Sequence, residues 1–332
     1  MTPEQDLDQI APSVESGEST RTVLIALGAN SAIAVAKTVA GVLSGSASMV
    51  AEAAHSWADT GNQVFLWIAD RRSRRPADAR HPLGHGREAY VWSLLAAVGL
   101  FVAGASVSIW HGVSELLHGE SERGDYLLAY IVLLIAFVLE GISFLQAVRQ
   151  LRGEAAVYQR DLLEHALATS DPTTRAVFAE DSGALIGIVI AFFGIGLHQL
   201  TGNLVWDAIG SILIGVLLGV IALVLIDRNR RFLTGEPASA ELRDAVIARI
   251  KRLPDVADVR FIRIVFIGPK QLSVVASVDV VGDYAESRVA RTLRRLEQEL
   301  ELDPHIADAV LTIADPEDDD VHDGRPRQQR RD

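Results

Sequence analysis

The sequence predicts an α-helical membrane protein with six transmembrane helices followed by a small α+β domain. Three observations carry that reading. Six apolar runs of about 20 residues or more occupy the first two thirds of the chain, arginines gather in alternate connections between them, and the pattern changes after Arg231 to short amphipathic helices and strand-like runs. A hydrocarbon core of roughly 30 Å is crossed by about 20 helical residues, so each run is long enough to span it.

The chain opens on an acidic segment, residues 1–20, that precedes the first apolar run without a basic flank. It reads as a disordered tail rather than a cleaved signal peptide. The spans follow at about 22–43, 47–69, 89–117, 126–148, 173–200 and 204–226, within a transmembrane domain of 21–231. RRSRR with Arg80 and Arg87 lies between spans two and three, Arg149, Arg152 and Arg160 lie between four and five, and RNRR follows span six. HGESERGD and HQLTGN, on the other side, carry one arginine between them. The positive-inside rule therefore places both termini in the cytoplasm, and the cell membrane is the expected location.

Residues 232–315 read as a cytoplasmic domain of order αββαβ. SAELRDAVIARIKRL and ESRVARTLRRLEQELEL have helical periodicity, whereas VADVRFIRIVFIG, KQLSVVASVDVVG and ADAVLTIAD have strand character, the first two joined through Gly268-Pro269. An antiparallel hairpin with two helices makes a small two-layer fold. A sheet this thin points to dimerisation through its helices or an exposed face. Residues 316–332 lack periodicity and read as a second disordered tail.

A net charge of −12 argues against a nucleic-acid partner, and the basic clusters are already explained by topology. With no cysteine in the chain, any metal must be held by imidazole and carboxylate.

Span two contains AEAAHSWADTGNQ, which puts Glu52, His55 and Asp59 in a membrane segment. A charge there costs a few kcal/mol or more, so it needs a partner, a water-filled cavity or a ligand. His55 and Asp59 are one helical turn apart on one face and can reach a single ion. Span five opens VFAEDSGALIG, and with a helix starting at Pro172 its Glu180 and Asp181 lie inside the span and face a cavity. Lys37 and Glu140 read as snorkelling side chains or an intramembrane pair. An imidazole with carboxylates suits Zn²⁺, and also Mn²⁺, Fe²⁺ or Co²⁺. The same groups bind protons, so metal and proton compete. Neither HExxH nor a P-loop GxxxxGK[ST] occurs, so neither a metallopeptidase nor an ATP-driven pump is indicated. A membrane-embedded metal sensor or metalloenzyme is the alternative from another class.

In the loop RRPADARHPLGHGRE, Asp78, His81 and His85 are spaced i, i+3, i+7, and Pro82, Gly84 and Gly86 prevent a regular helix. Spacing alone leaves a solvated loop and a metal site equally open.

From about Arg21 to Asp315 the chain resembles the cation diffusion facilitator family of divalent-metal transporters, through its six spans, HSWAD, PADARHPLGHGRE, EDS and the αββαβ order. The resemblance implies a homodimer that exports Zn²⁺ or a related ion in exchange for H⁺ by alternating access, with a ferredoxin-like C-terminal domain. No prosthetic group and no enzymatic activity are expected. His55 and Asp59 match the span-two half of the family's transport site, and Asp181 matches the second span-five position. Val177 stands where the family has a His or Asp. Glu180 or water would complete the shell. Asp78, His81 and His85 match the family's loop metal site. For the family's dinuclear cytoplasmic site, Arg260, Ala276 and Ile313 offer no ligand, and only Asp315 fits.

Overall fold

A computed structural model of the protein describes residues 20–119, 126–157 and 161–314. Both expected tails, Arg160, Asp315 and most of the HGESERGD connection lie outside the described residues. The bundle comprises α1 (Thr20–Ser44), α2 (Ala47–Ser73), α3 (Glu88–Gly99), a π-helical segment at Leu100–Ser106, α4 (Val107–His118), α5 (Tyr126–Val157), the short α6 (Leu162–Ala168), α7 (Pro172–Thr201) and α8 (Val205–Thr234). The π-helical segment continues α3 into α4, so the third expected span is one long rod, Glu88–His118.

Among the described residues five helical stretches are long and apolar enough to cross a membrane: Leu27–Ser44, Glu88–His118, Tyr126–Ala156, Pro172–Thr201 and Val205–Thr234. Helix α2, the second expected span, is as long as its neighbours but more polar, because Glu52, His55, Asp59 and Asn62 share its face. That face turns inward: Glu52, His55 and Asn62 are buried, and α2 packs against α1, α3, α7 and α8. Outward the bundle is apolar, with Trp110, Leu127, Leu134, Phe193 and Leu223 exposed.

Helix ends within such a bundle need partners for their free amides and carbonyls. The amino end of α2 is served by Asp207, fully buried at the start of α8. Its carboxylate accepts from Ala47 N at 2.7 Å, Ser48 N at 3.2 Å and Ser46 Oγ at 3.0 Å, and Ser46 Oγ in turn accepts from Met49 N at 3.1 Å. A carboxylate there also suits the positive end of the helix dipole. Helix α7 starts as the sequence indicates, with Pro172 in its first turn and Asp171 accepting from Thr173 N.

The second unit contains α9 (Ala240–Lys251), β1 (Val256–Gly268), β2 (Gln271–Val280), α10 (Glu286–Leu300) and β3 (Ile306–Ile313). The sheet order is β1-β2-β3, with β1 and β2 antiparallel and β2 and β3 parallel. Both helices contribute to one core, in which Val246 and Ile250 meet Val259, Val274, Ala276, Leu296 and Leu311. The β1–β2 turn contains Lys270 at φ 57° and is braced against the bundle. Lys270 N donates to Ser170 Oγ at 3.1 Å, and Gly86 of the α2–α3 loop lies so close that a Cβ on it would sit 2.6 Å from the Ile267 carbonyl. Only glycine permits that approach.

Candidate metal site in the bundle and its loop cluster

The spacing of Glu52, His55, Asp59 and Asn62 stacks all four along one stripe of α2. Asn30 of α1 donates from Nδ2 to Asp59 Oδ2 at 3.0 Å. Across the interface with α7, the Asp59 and Glu180 carboxyl groups face each other, and Asn62 donates from Nδ2 to Glu180 Oε1. His55 is 2% exposed, and its Nδ1 has no protein partner among the described residues. Asn30 holds one oxygen of Asp59 and Asn62 one oxygen of Glu180.

Of the two expected span-five carboxylates, Glu180 is buried and directly meets Asp59. Asp181 is half-buried and its Oδ2 accepts from Ser143 Oγ of α5 at 2.7 Å. Adjacent helical residues diverge by about 100°, so they cannot both face α2 equally. Val177 lies one turn before Asp181 and offers no donor atom.

Lys37 does not snorkel. Its Nζ is 2.8 Å from Glu52 Oε2, and both side chains are fully buried. Glu52 packs over Gly187 of α7, where a Cβ would find no room. Glu140 of α5 is half-buried and faces the same polar interior. Sequence reasoning missed Asn30, Asn62, Ser143 and the role of Glu52 as the partner of Lys37; for the amides, the available signal was an uncharged polar group recurring in apolar runs.

The α2–α3 loop folds back as a metal site would require. Asp78 and His81 exchange backbone hydrogen bonds at 3.1 Å, and Gly84, at φ 77°, donates to His81 O at 2.9 Å. Asp78 Oδ1 lies 3.2 Å from His81 Nδ1, and Asp78 Oδ2 lies 3.1 Å from His85 Nε2. One ligand atom from each residue falls within 4.8 Å of the others, the only such set of three among the described residues. Behind His85, Glu88 Oε1 lies 3.6 Å from Nδ1. Two imidazoles and a carboxylate fit a borderline divalent ion.

Hydrogen bonds from His85, from the Arg80 and His81 amides and from His81 hold the Asp78 carboxyl below the ordinary carboxylate range. A depressed carboxylate contributes stability above its unfolded value, about 3.9, and loses it as pH falls through the lower folded value. The loop geometry is therefore kept at neutral and mildly acidic pH.

The helical bundle that carries these residues agrees with the sequence comparisons. The cation efflux transmembrane domain family matches residues 23–233. The chain belongs to the cation diffusion facilitator, or cation efflux, family. Among its relatives is the mitochondrial proton-coupled zinc antiporter SLC30A9 of Homo sapiens, 33% identical over 262 residues, covering 79% of this chain and 46% of that protein. Metal tolerance protein C4 of Arabidopsis thaliana is 34% identical over 269 residues, covering 81% and 59%. Zinc transporter ZitB of Escherichia coli is 27% identical over 252 residues, covering 75% and 74%. The chain thus spans about half the length of the first of these relatives. The family assignment and the five apolar stretches make this cation efflux protein an integral membrane protein.

Proposed function

We propose that this chain exports a divalent cation, Zn²⁺ foremost, from the cytoplasm in exchange for protons. The observation that carries the reading is the carboxyl pair of Asp59 and Glu180, which joins α2 to α7 beside His55. A divalent cation entering there displaces protons from these groups and is held by both carboxylates and the imidazole. Reprotonation from the opposite side releases it. The two helices that supply the ligands thereby bind either metal or proton, which is the minimal requirement for antiport. The zinc-transporter names of the relatives support the choice of ion, and the arginine distribution supports cytoplasmic termini in a cell membrane. A homodimer built on the sheet domain completes the reading.

His55, Asp59 and Glu180 form the ligand set, with Asp181 one position away as the fourth ligand or as the proton's next station. Because Val177 withholds a ligand, the shell is rich in oxygen and open to water. Zn²⁺ gains from a complete tetrahedron, whereas Mn²⁺ and Fe²⁺ tolerate higher, water-completed coordination. Val177→His is therefore expected to shift uptake toward Zn²⁺ in competition with Mn²⁺, and Glu180→Gln to impair uptake of both. An unchanged metal ranking in the first and full activity in the second would show that another helix completes the site.

Asp78, His81 and His85 are assigned a second ion that orders the α2–α3 loop against the β1–β2 turn. This loop lies off the path between α2 and α7. His81→Ala is expected to lower transport several-fold without abolishing it, as vesicle uptake at equal protein density would show. Complete loss would place the loop on the path itself.

A further inference from the structure

Where the bundle meets the sheet domain, a cavity of about 390 Å³ opens between the ends of α5 and α8, helix α6 and the β1–β2 turn. Glu154, Glu164, His165, Lys270 and His305 all line it. His305 is only 1% exposed. Its backbone is pinned at the start of β3, with its amide donating to Asp303 Oδ1 at 3.0 Å and its carbonyl accepting from Leu272 N at 2.8 Å. Its ring Nδ1 lies 3.3 Å from the Lys270 carbonyl oxygen. A carbonyl can only accept, so Nδ1 carries the proton and Nε2 presents a lone pair. That Nε2 is buried with no protein partner among the described residues. An imidazole whose N–H is fixed by a backbone carbonyl while the other nitrogen is bare has the arrangement found in histidine metal ligands.

Oxygen donors line the same cavity. Glu154 Oε2 is 3.2 Å from His165 Nε2, and Glu154 Oε1 is 3.6 Å from Lys270 Nζ. We propose that this cavity is a metal site distinct from the bundle site and the loop cluster, taking a divalent transition-metal ion on His305 Nε2 and the Glu154 carboxylate. His165 is the positioning residue that orients Glu154, and Glu164 is within the same cavity as a further oxygen donor. An anion is disfavoured, because the buried free group is a lone pair. Of the cationic side chains present, Lys270 already faces Glu154 and Arg231 is held by Asp227, with Arg228 as the third. The arriving ion replaces the Lys270 ammonium as the counter-charge of Glu154. Since Glu154 belongs to α5 and His305 to the sheet domain, a bound ion ties the two units together.

The test uses the full chain in detergent micelles with Asp59, Asp78, His81 and His85 replaced by Ala, titrated with Co²⁺ and followed by its visible absorption. One equivalent per chain is expected to remain. Added to that background, His305→Ala and Glu154→Gln should each weaken it at least tenfold, while Lys270→Met, by removing the competing ammonium, should tighten it several-fold. If His305→Ala does not fold, as judged by size-exclusion elution, Glu154→Gln and Lys270→Met decide. No residual equivalent, or one indifferent to these substitutions, would overturn the proposal.

Discussion

Asp59→Ala is expected to reduce metal transport to the level of protein-free vesicles while the variant remains folded. Asp59 is half-buried, accepts from Asn30 and faces Glu180, so its loss removes a proposed ligand from the centre of the pair. Loss of groups that merely orient ligands lowers metal affinity about 10- to 100-fold, so loss of the ligand itself exceeds about 100-fold. His55→Ala should behave alike, because its imidazole is the proposed nitrogen donor of the set. Asn30→Ala, which frees one Asp59 oxygen without removing it, should fall between these and wild type. Initial rates of Zn²⁺ uptake at matched protein density measure all three, and wild-type rates in Asp59→Ala would remove the bundle site from the path.

The second large effect concerns stability. Lys37→Ala leaves Glu52 fully buried without its cation, 2.8 Å away in the native pair. Removing one partner of a buried ion pair costs about 3–5 kcal/mol, because the remaining charge stays desolvated. Neither side chain touches solvent, so screening does not reduce the figure. Thermal unfolding in detergent should drop by roughly 6–20 °C for a bundle of this size. The double variant Lys37→Met with Glu52→Gln should recover more than half of that loss, since no net charge remains buried. Unfolding of Lys37→Ala at the wild-type temperature would show that Glu52 finds another partner.

How far the sequence leads depends on what each feature is made of. Long apolar runs and the arginine pattern mark the spans because bilayer thickness demands them, and Pro172 after Asp171 marks the start of α7 in the same direct way. Helix α6 is seven residues long, too short for periodicity to distinguish, and LFVAGAS gives no sign of its π-helical turn. Parallel pairing of β2 with β3 is a long-range choice that strand composition does not encode. In the site, His55 and Asp59 are visible from spacing within one helix. That Glu180 rather than Asp181 meets Asp59 depends on the rotation of α7 against α2, which sequence does not fix. His305 was passed over for a related reason: its significance comes from a carbonyl 35 residues away in the chain and from a cavity formed by two units.

The most direct measurement is made on proteoliposomes that report internal metal and internal pH in the same trace. With the purified chain inserted and Zn²⁺ added to the cytoplasmic face under a pH gradient acid inside, Zn²⁺ should enter as protons leave. Both signals should vanish together in Asp59→Ala and fall together in Glu180→Gln. Zn²⁺ entry without any proton movement, or proton movement that persists when Asp59 is gone, would contradict metal–proton exchange at this carboxyl pair.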